Sequence, residues 1–455
     1  MKRWFSTFLQ FLLLLALSSC GASSKTSRLP DQSVVKTLLV QLVDKEKRGT
    51  GMVIGMIADD PQERWVLGYG KLSTTDERVP DGDTVFEIGS ITKVFTGTLL
   101  AQAVLNGEVK LDDPISMYLP EGITAPEYEG RSITLLDLAT HTAGWAKWPG
   151  NLNANSLDDI ANYDIDRMYD FVSSYHLTRA PGSSFEYSNF GFGLLGNLLV
   201  RRAGQKDYEA LLVERITRPL GMNSTCITLT PEMRSRLAAP YDDLLLPSRS
   251  WEAPALDGGG SIRSTANDML TFLAANMGIN QTELQPALRL ANTPQRPTNG
   301  AEYIGLGWVL PKSGNGIHWH NGETVGYHSY LGWDPQRKIG VVVLTNATIS
   351  IDDLGSQLVR GLPLTPVSVD PQVLAAYAGR YQFPNEHFVT IRVDGTRIFL
   401  QAPNQPEYEL YARSENQFYP REFEAEITFY RNDKGEVDRI TLLQSGDTYE
   451  AKKVP

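Results

Sequence analysis

Residues 86–97 read FEIGSITKVFTG, and within them Ser90 and Lys93 stand three apart. A strand-like TVFEIG precedes the pair, and apolar Val94, Phe95, Leu99 and Leu100 follow at helical spacing. On a helix, positions three apart share a face, so the lysine can reach the serine hydroxyl. The first turn adds unpaired N–H groups and the positive end of the dipole, which favour a developing anion. A nucleophile placed there suits acyl transfer. The plainer alternative is an N-cap serine beside a solvated lysine. The same spacing recurs at Ser33 and Lys36, where Ser33 suits the N-cap of a helix from Val34 to Val43. Spacing alone therefore decides nothing.

Moving outward, PGSSFEYSNFGFGLLG (181–196) sets Tyr187-Ser188-Asn189 just before a helix closed by Gly204. A phenol serves as a base only if cations lower its pKa, and Lys93 would be the main one. A second Tyr-x-Asn, Tyr430 to Asn432, falls inside a tail hairpin and needs no chemistry. Two stretches offer a cationic side chain, any residue, then glycine. Lys312-Ser313-Gly314 lies in the turn-like PKSGNG. His320-Asn321-Gly322 lies in a strand and its following turn, where alternation puts His318, His320 and Gly322 on one face. Gly322 would let a substrate backbone lie flat against that strand. The N–H of Glu323, with that of Ser90, would receive an oxyanion.

The whole chain has 455 residues, 42% hydrophobic and 21% charged, with net charge −11. That charge argues against a nucleic-acid partner. Lys2 and Arg3 precede the apolar FLLLLAL, and LSSC follows at 17–20. This is the layout of a secretory signal, too short to span a membrane comfortably. Residues 1–20 read as that signal and 21–33 as a polar tether. Cys226 is the only other cysteine and reads as a small buried hydrophobe. Cysteine and histidine spacing gives no zinc motif, and no cofactor or metal is expected.

Strand-like runs GMVIGMIA and RWVLGYGKL come early, and GLGWVL, GIHWHNG, YHSYLGWDP and IGVVVLTNA come late. Helical patterns fill the middle, including one closed by Gly278. The expected fold is α+β: one antiparallel sheet joining early and late strands, flanked by helices, with a helical subdomain beside it. That domain runs over 34–362. Three prolines in PLTPVSVDP mark a linker at 363–371. Beyond it, alternation around Asp394-Gly395 and Lys434-Gly435 predicts a small all-β domain over 372–455.

Taken in order, TVFEIGSITKVFTG, ITLLDLATHTAGW, PGSSFEYSNFGFGLLG, RPLGMNST, GGGSIRSTANDM, GLGW and HNGETVGYHSYLGWDP resemble the serine β-lactamase/penicillin-binding protein superfamily. The resemblance is to its class C-like branch and spans about residues 34 to 360. LSSC resembles a bacterial lipobox, with Cys20 lipidated, and the tail resembles an appended lipocalin-like domain. The resemblance implies Ser90 as acylated nucleophile, with Lys93 and Tyr187 sharing proton transfer. It implies Asn189, His320, Gly322 and Glu323 as substrate-binding groups. His320 replaces the lysine usual in the third motif, a weaker anchor for a substrate carboxylate.

The expected function is a serine hydrolase acting on D-amino-acid, cell-wall-type peptides or β-lactams, lipid-anchored outside the cytoplasm. The alternatives are a carboxylesterase on small esters and a penicillin-binding-like sensor without turnover.

Overall fold

The computed structural model describes residues 27–60, 63–365, 367–421, 423, 425–444 and 447–454. The signal-like segment and Cys20 lie outside the described residues. An eight-stranded antiparallel sheet dominates. In spatial order its strands are Arg64–Gly70, Gly51–Ala58, Ile339–Thr345, His328–Asp334, His318–Glu323, Val309–Pro311, Glu302–Ile304 and Arg296–Pro297. Early and late strands thus meet in mid-sheet, with Ile54 opposite Val343 and Val343 opposite Tyr330.

The central strands are buried on both faces. Val53, Ile57, Val342 and Leu344 face one core, whereas Met52, Ile54, Val341 and Val343 face another. That is why GMVIGMIA and IGVVVLT are unbroken apolar runs rather than alternating ones. The helices Gln32–Val40 and Asp352–Val359 supply apolar side chains to the second core. The first core holds Thr92–Leu105, Asn189–Ala203 and Ala266–Asn276, and continues into the helical region.

The helix Thr92–Leu105 is buried nearly all round, and its buried Thr96 and Thr98 hydroxyls donate back to the Thr92 and Val94 carbonyls. GLGW packs directly on it. Gly307 has φ +88°, and a Cβ there would come within 2.4 Å of the Lys93 carbonyl oxygen. Only glycine tolerates both conditions.

Two local expectations change. The first helix starts at Gln32, capped by Asp31, whose carboxylate accepts the Ser33 N–H at 2.7 Å. Asp31 is the stronger acceptor, so Ser33 falls inside the first turn instead of capping it. TVFEIG, read as strand-like throughout, is a strand only over Val85–Glu87, which pairs with Arg263–Thr265 in a separate two-stranded ribbon.

Past Pro363 the chain forms a helix, Pro371–Tyr377, and then a closed barrel of eight antiparallel strands from Gly379 to Val454. Tyr377 stacks on Phe429 in the barrel core at 4.1 Å. In the hairpin after Tyr430, Asn432 Oδ1 accepts the N–H groups of Lys434 and Glu436. Turn chemistry thus accounts for that Tyr-x-Asn. The barrel is tied to the sheet domain by Arg360, which donates to the carbonyls of Pro420, Phe423 and Ala425.

Candidate active site

Ser90 sits in a tight turn, Gly89–Ile91, that runs straight into the helix bearing Lys93. Lys93 Nζ lies 3.0 Å from Ser90 Oγ. It also donates to Asn189 Oδ1 at 2.8 Å and to the Gly259 carbonyl at 2.6 Å. The Tyr187 hydroxyl donates to Ser90 Oγ at 2.7 Å. Ser188 caps the helix Asn189–Ala203 by accepting the Gly191 N–H, which sets Tyr187 and Asn189 on either side of the cap. The four side chains form one continuous hydrogen-bonded chain.

Burial sets the charge state. Lys93 is completely buried, which pushes its pKa well below the usual amine range, and the nearby Lys147 charge adds to the effect. Burial raises the Tyr187 phenol, opposed by its hydrogen bond to Ser90. Burial therefore favours the uncharged form of each group. Burial works against the lowering of the Tyr187 pKa that a base needs and Lys93 would supply: both groups lie in the same water-poor pocket, and burial penalises both charges.

His320 and Gly322 lie on the strand His318–Glu323, with both residues buried. Lys312 is exposed in the turn after Val309–Pro311, as its glycine-rich surroundings predict. Burial, with Lys93 nearby, lowers the His320 pKa to about 4. Its Nδ1 lies 2.5 Å from the Asn321 carbonyl, so Nδ1 holds the proton of the neutral ring and Nε2 is an acceptor. In that state the ring accepts a hydrogen bond but cannot donate Nε2–H to a carboxylate.

Gly322 is needed for a reason other than substrate approach: a Cβ there would meet the Ile88 carbonyl oxygen at 2.0 Å. The backbone entering the Ser90 turn rests on this strand. Thr324 N–H bonds across the hairpin to the Tyr327 carbonyl. Antiparallel alternation then turns the Glu323 N–H the other way, toward the Ser90 turn. Ser90 and Glu323 line one cleft of about 460 Å³. A larger cavity, about 750 Å³, lies between the Trp319 side of the sheet and the barrel, but it contains no Ser–Lys pair. Among the described residues, no group of three His, Cys, Asp or Glu side chains is placed to hold a metal ion.

Residues 35–360 match the family model described as Beta-lactamase. The chain belongs to the Beta-lactamase family. Residues 365–453 match a second model, a domain of unknown function designated DUF3471. The D-alanyl-D-alanine-carboxypeptidase/endopeptidase AmpH of Escherichia coli is 32% identical over 346 residues, covering 69% of this chain and 86% of that protein. A Beta-lactamase of the same species is 29% identical over 369 residues, covering 73% and 93%. A class C beta lactamase from Rhodobacter sphaeroides has a similar structure, with TM-score 0.60 and 26% identity, covering 70% and 95%. This chain is thus a serine hydrolase of the Beta-lactamase family.

Other residues of this family member surround Ser90, although none was singled out from its motif. Gly259 of GGGSIRSTANDM supplies the carbonyl that fixes Lys93. His141 of ITLLDLATHTAGW lies under Tyr187, with ring centroids 4.4 Å apart, and its Nδ1 accepts the Ser188 N–H at 3.0 Å. Its φ of +57° is unusual for a residue other than glycine. Trp148 and Trp251 also line the cleft, 6.0 Å apart. A motif marks where such residues stand, but only through-space contacts reveal what they touch. Cys226 is half-buried with its sulfur 3.6 Å from that of Met233, and burial pushes its thiol up to about 12.

Proposed function

We propose that Ser90 is the nucleophile of an acyl-transfer hydrolase acting on D-amino-acid peptides of cell-wall type or on β-lactams. The observation that carries this reading is the unbroken chain Tyr187–Ser90–Lys93–Asn189. As Ser90 Oγ attacks the substrate carbonyl, its proton passes to the neutral Lys93 amine. The N–H groups of Ser90 and Glu323 receive the oxyanion. Tyr187 gives its proton to the leaving nitrogen, and the new phenolate is held by the newly charged Lys93. In deacylation the phenolate takes a proton from the attacking water, and Lys93 returns one to Ser90. Asn189 Oδ1 holds Lys93, leaving its amide N–H groups for the acyl side of the substrate.

The names of the relatives, a D-alanyl-D-alanine-carboxypeptidase/endopeptidase and a Beta-lactamase, support this substrate class. A carboxylesterase on small esters is the second reading, favoured by the neutral, accepting His320. In the same proposal the enzyme works outside the cytoplasm, lipid-anchored through Cys20, as the signal-like segment and LSSC support. Among the described residues no helix is long and apolar enough to cross a membrane.

The test is intact mass after incubation with a penicillin, a D-Ala-D-Ala peptide or a nitrophenyl ester, with turnover followed in parallel. A penicilloyl adduct on the wild type and none on Ser90→Ala is expected. Ester turnover with neither penicillin adduct nor peptide cleavage would favour the esterase reading instead.

A further inference from the structure

The Ser90 cleft has one cationic side chain to spare. Lys147 is exposed along its lining and forms no ion pair among the described residues. Its backbone is fixed, because the Lys147 carbonyl accepts the N–H groups of Asn189 (3.0 Å) and Phe190 (3.3 Å) at the start of their helix. The side chain therefore projects from a segment pinned beside Asn189, next to Trp148, which with Trp251 forms an aromatic wall. The other basic groups near Ser90 are already committed. Lys93 is buried in its hydrogen bonds, and His320 is neutral with Nε2 accepting. The one acidic residue of the lining, Glu323, belongs to the strand and not to the Asn189 side.

We infer that Lys147 selects acyl donors that carry a carboxylate on the acyl side of the scissile bond, in the acylamino group. The inference rests on the Ser90 acyl-transfer reading, in which Asn189 marks that side. A flexible ammonium at the rim of a half-enclosed cleft attracts an anion by charge without a fixed partner geometry. The two tryptophans exclude part of the solvent and so strengthen that attraction. The competing description is a solvated surface lysine, which would not distinguish substrates by charge.

Two matched pairs decide between them. Benzylpenicillin and carbenicillin differ by one carboxylate on the acylamino side chain, and N-acetyl- and N-succinyl-D-Ala-D-Ala differ likewise. Acylation rates are measured for the penicillins and kcat/KM for the peptides, with wild type, Lys147→Gln and Lys147→Arg. For whichever pair reacts, Lys147→Gln should lower the anionic-to-neutral rate ratio about tenfold, and Lys147→Arg should restore most of it. Raising the ionic strength should shrink the wild-type ratio and barely change that of Lys147→Gln. A ratio within twofold of wild type in Lys147→Gln would overturn the inference while leaving the Ser90 reading in place. No reaction of wild type with either pair would overturn that reading, and the inference with it.

Discussion

Ser33-Lys36 and Ser90-Lys93 share one spacing and have different surroundings. Ser33 Oγ donates to Asp31 Oδ1 at 2.6 Å, and both Ser33 and Lys36 are exposed on the first turn of an outer helix. Lys93 is fully buried and touches Ser90, Asn189 and the Gly259 carbonyl. Helical spacing puts serine and lysine on one face in both places. Only the second place removes water from the amine, lowers its pKa and aims it at the hydroxyl. The difference teaches that Ser-x-x-Lys specifies a face, and that the chemistry comes from what covers that face.

The strongest way to break this comparison is to truncate both serines. Ser90→Ala should reduce acylation about ten-thousandfold or more, while Ser33→Ala should stay at wild-type rates. A covalent adduct on Ser90→Ala with a reactive β-lactam or fluorophosphonate would place the nucleophile elsewhere. The lysines come next. Lys93→Met should slow acylation about a thousandfold by removing the proton acceptor, and Lys36→Met should have no effect. Comparable losses from both, measured as the acylation rate, would mean that burial is not what separates the pairs.

The third-motif residues offer a smaller effect. His320→Ala should lower kcat/KM about tenfold, and Lys312→Ala should remain near wild type, since Lys312 lies in an exposed turn. A greater loss from the lysine change would contradict the position of this hairpin. His320→Lys should favour carboxylate-bearing substrates over neutral esters, because it supplies a donor that His320 Nε2 lacks.

His320 also has a pH signature. It takes up a proton near pH 6.5 when unfolded but only near pH 4 when folded. Unfolding therefore binds a proton between these values, and the wild type loses stability as pH falls through that window. Relative to His320→Gln, the wild type should lose about 2 to 3 kcal/mol between pH 7 and pH 4, read from denaturant unfolding of both proteins. Taking the difference cancels opposing groups such as Asp257, raised to about 7 by burial, and Asp352, raised to about 6. Parallel curves for the two proteins would show that the buried ring is already charged in the folded state.

The smallest effect is expected from the barrel. None of the cleft-lining residues lies beyond residue 362 among the described residues. A folded truncation lacking 372–455 should keep Ser90 labelling by a small probe within about twofold, though a bulky peptide is free to respond differently. Loss of labelling in a soluble, folded truncation would mean that the barrel completes the site.

The order of motifs from TVFEIG to YLGWDP identified the family, and apolar runs with turn signals predicted the antiparallel sheet of early and late strands, the helical middle and the β tail. These features are local or periodic, so a one-dimensional pattern carries them. The placement of His320 on a strand and of Lys312 in a turn was also legible, because Gly-rich PKSGNG reads as a turn. Other features depend on segments far apart in the chain. Gly259 and Asn189 meet Lys93 across 166 and 96 positions. Gly322 receives the Ile88 carbonyl, and His141 supports Tyr187. The charge states of Lys93, Tyr187 and His320 belong to the same group, since desolvation depends on everything packed around an atom. The sequence by itself determined which residues were available and which faces they occupied. The tertiary structure alone decided that Ser90 meets a dry amine and Ser33 does not, because burial exists only once distant segments have packed together.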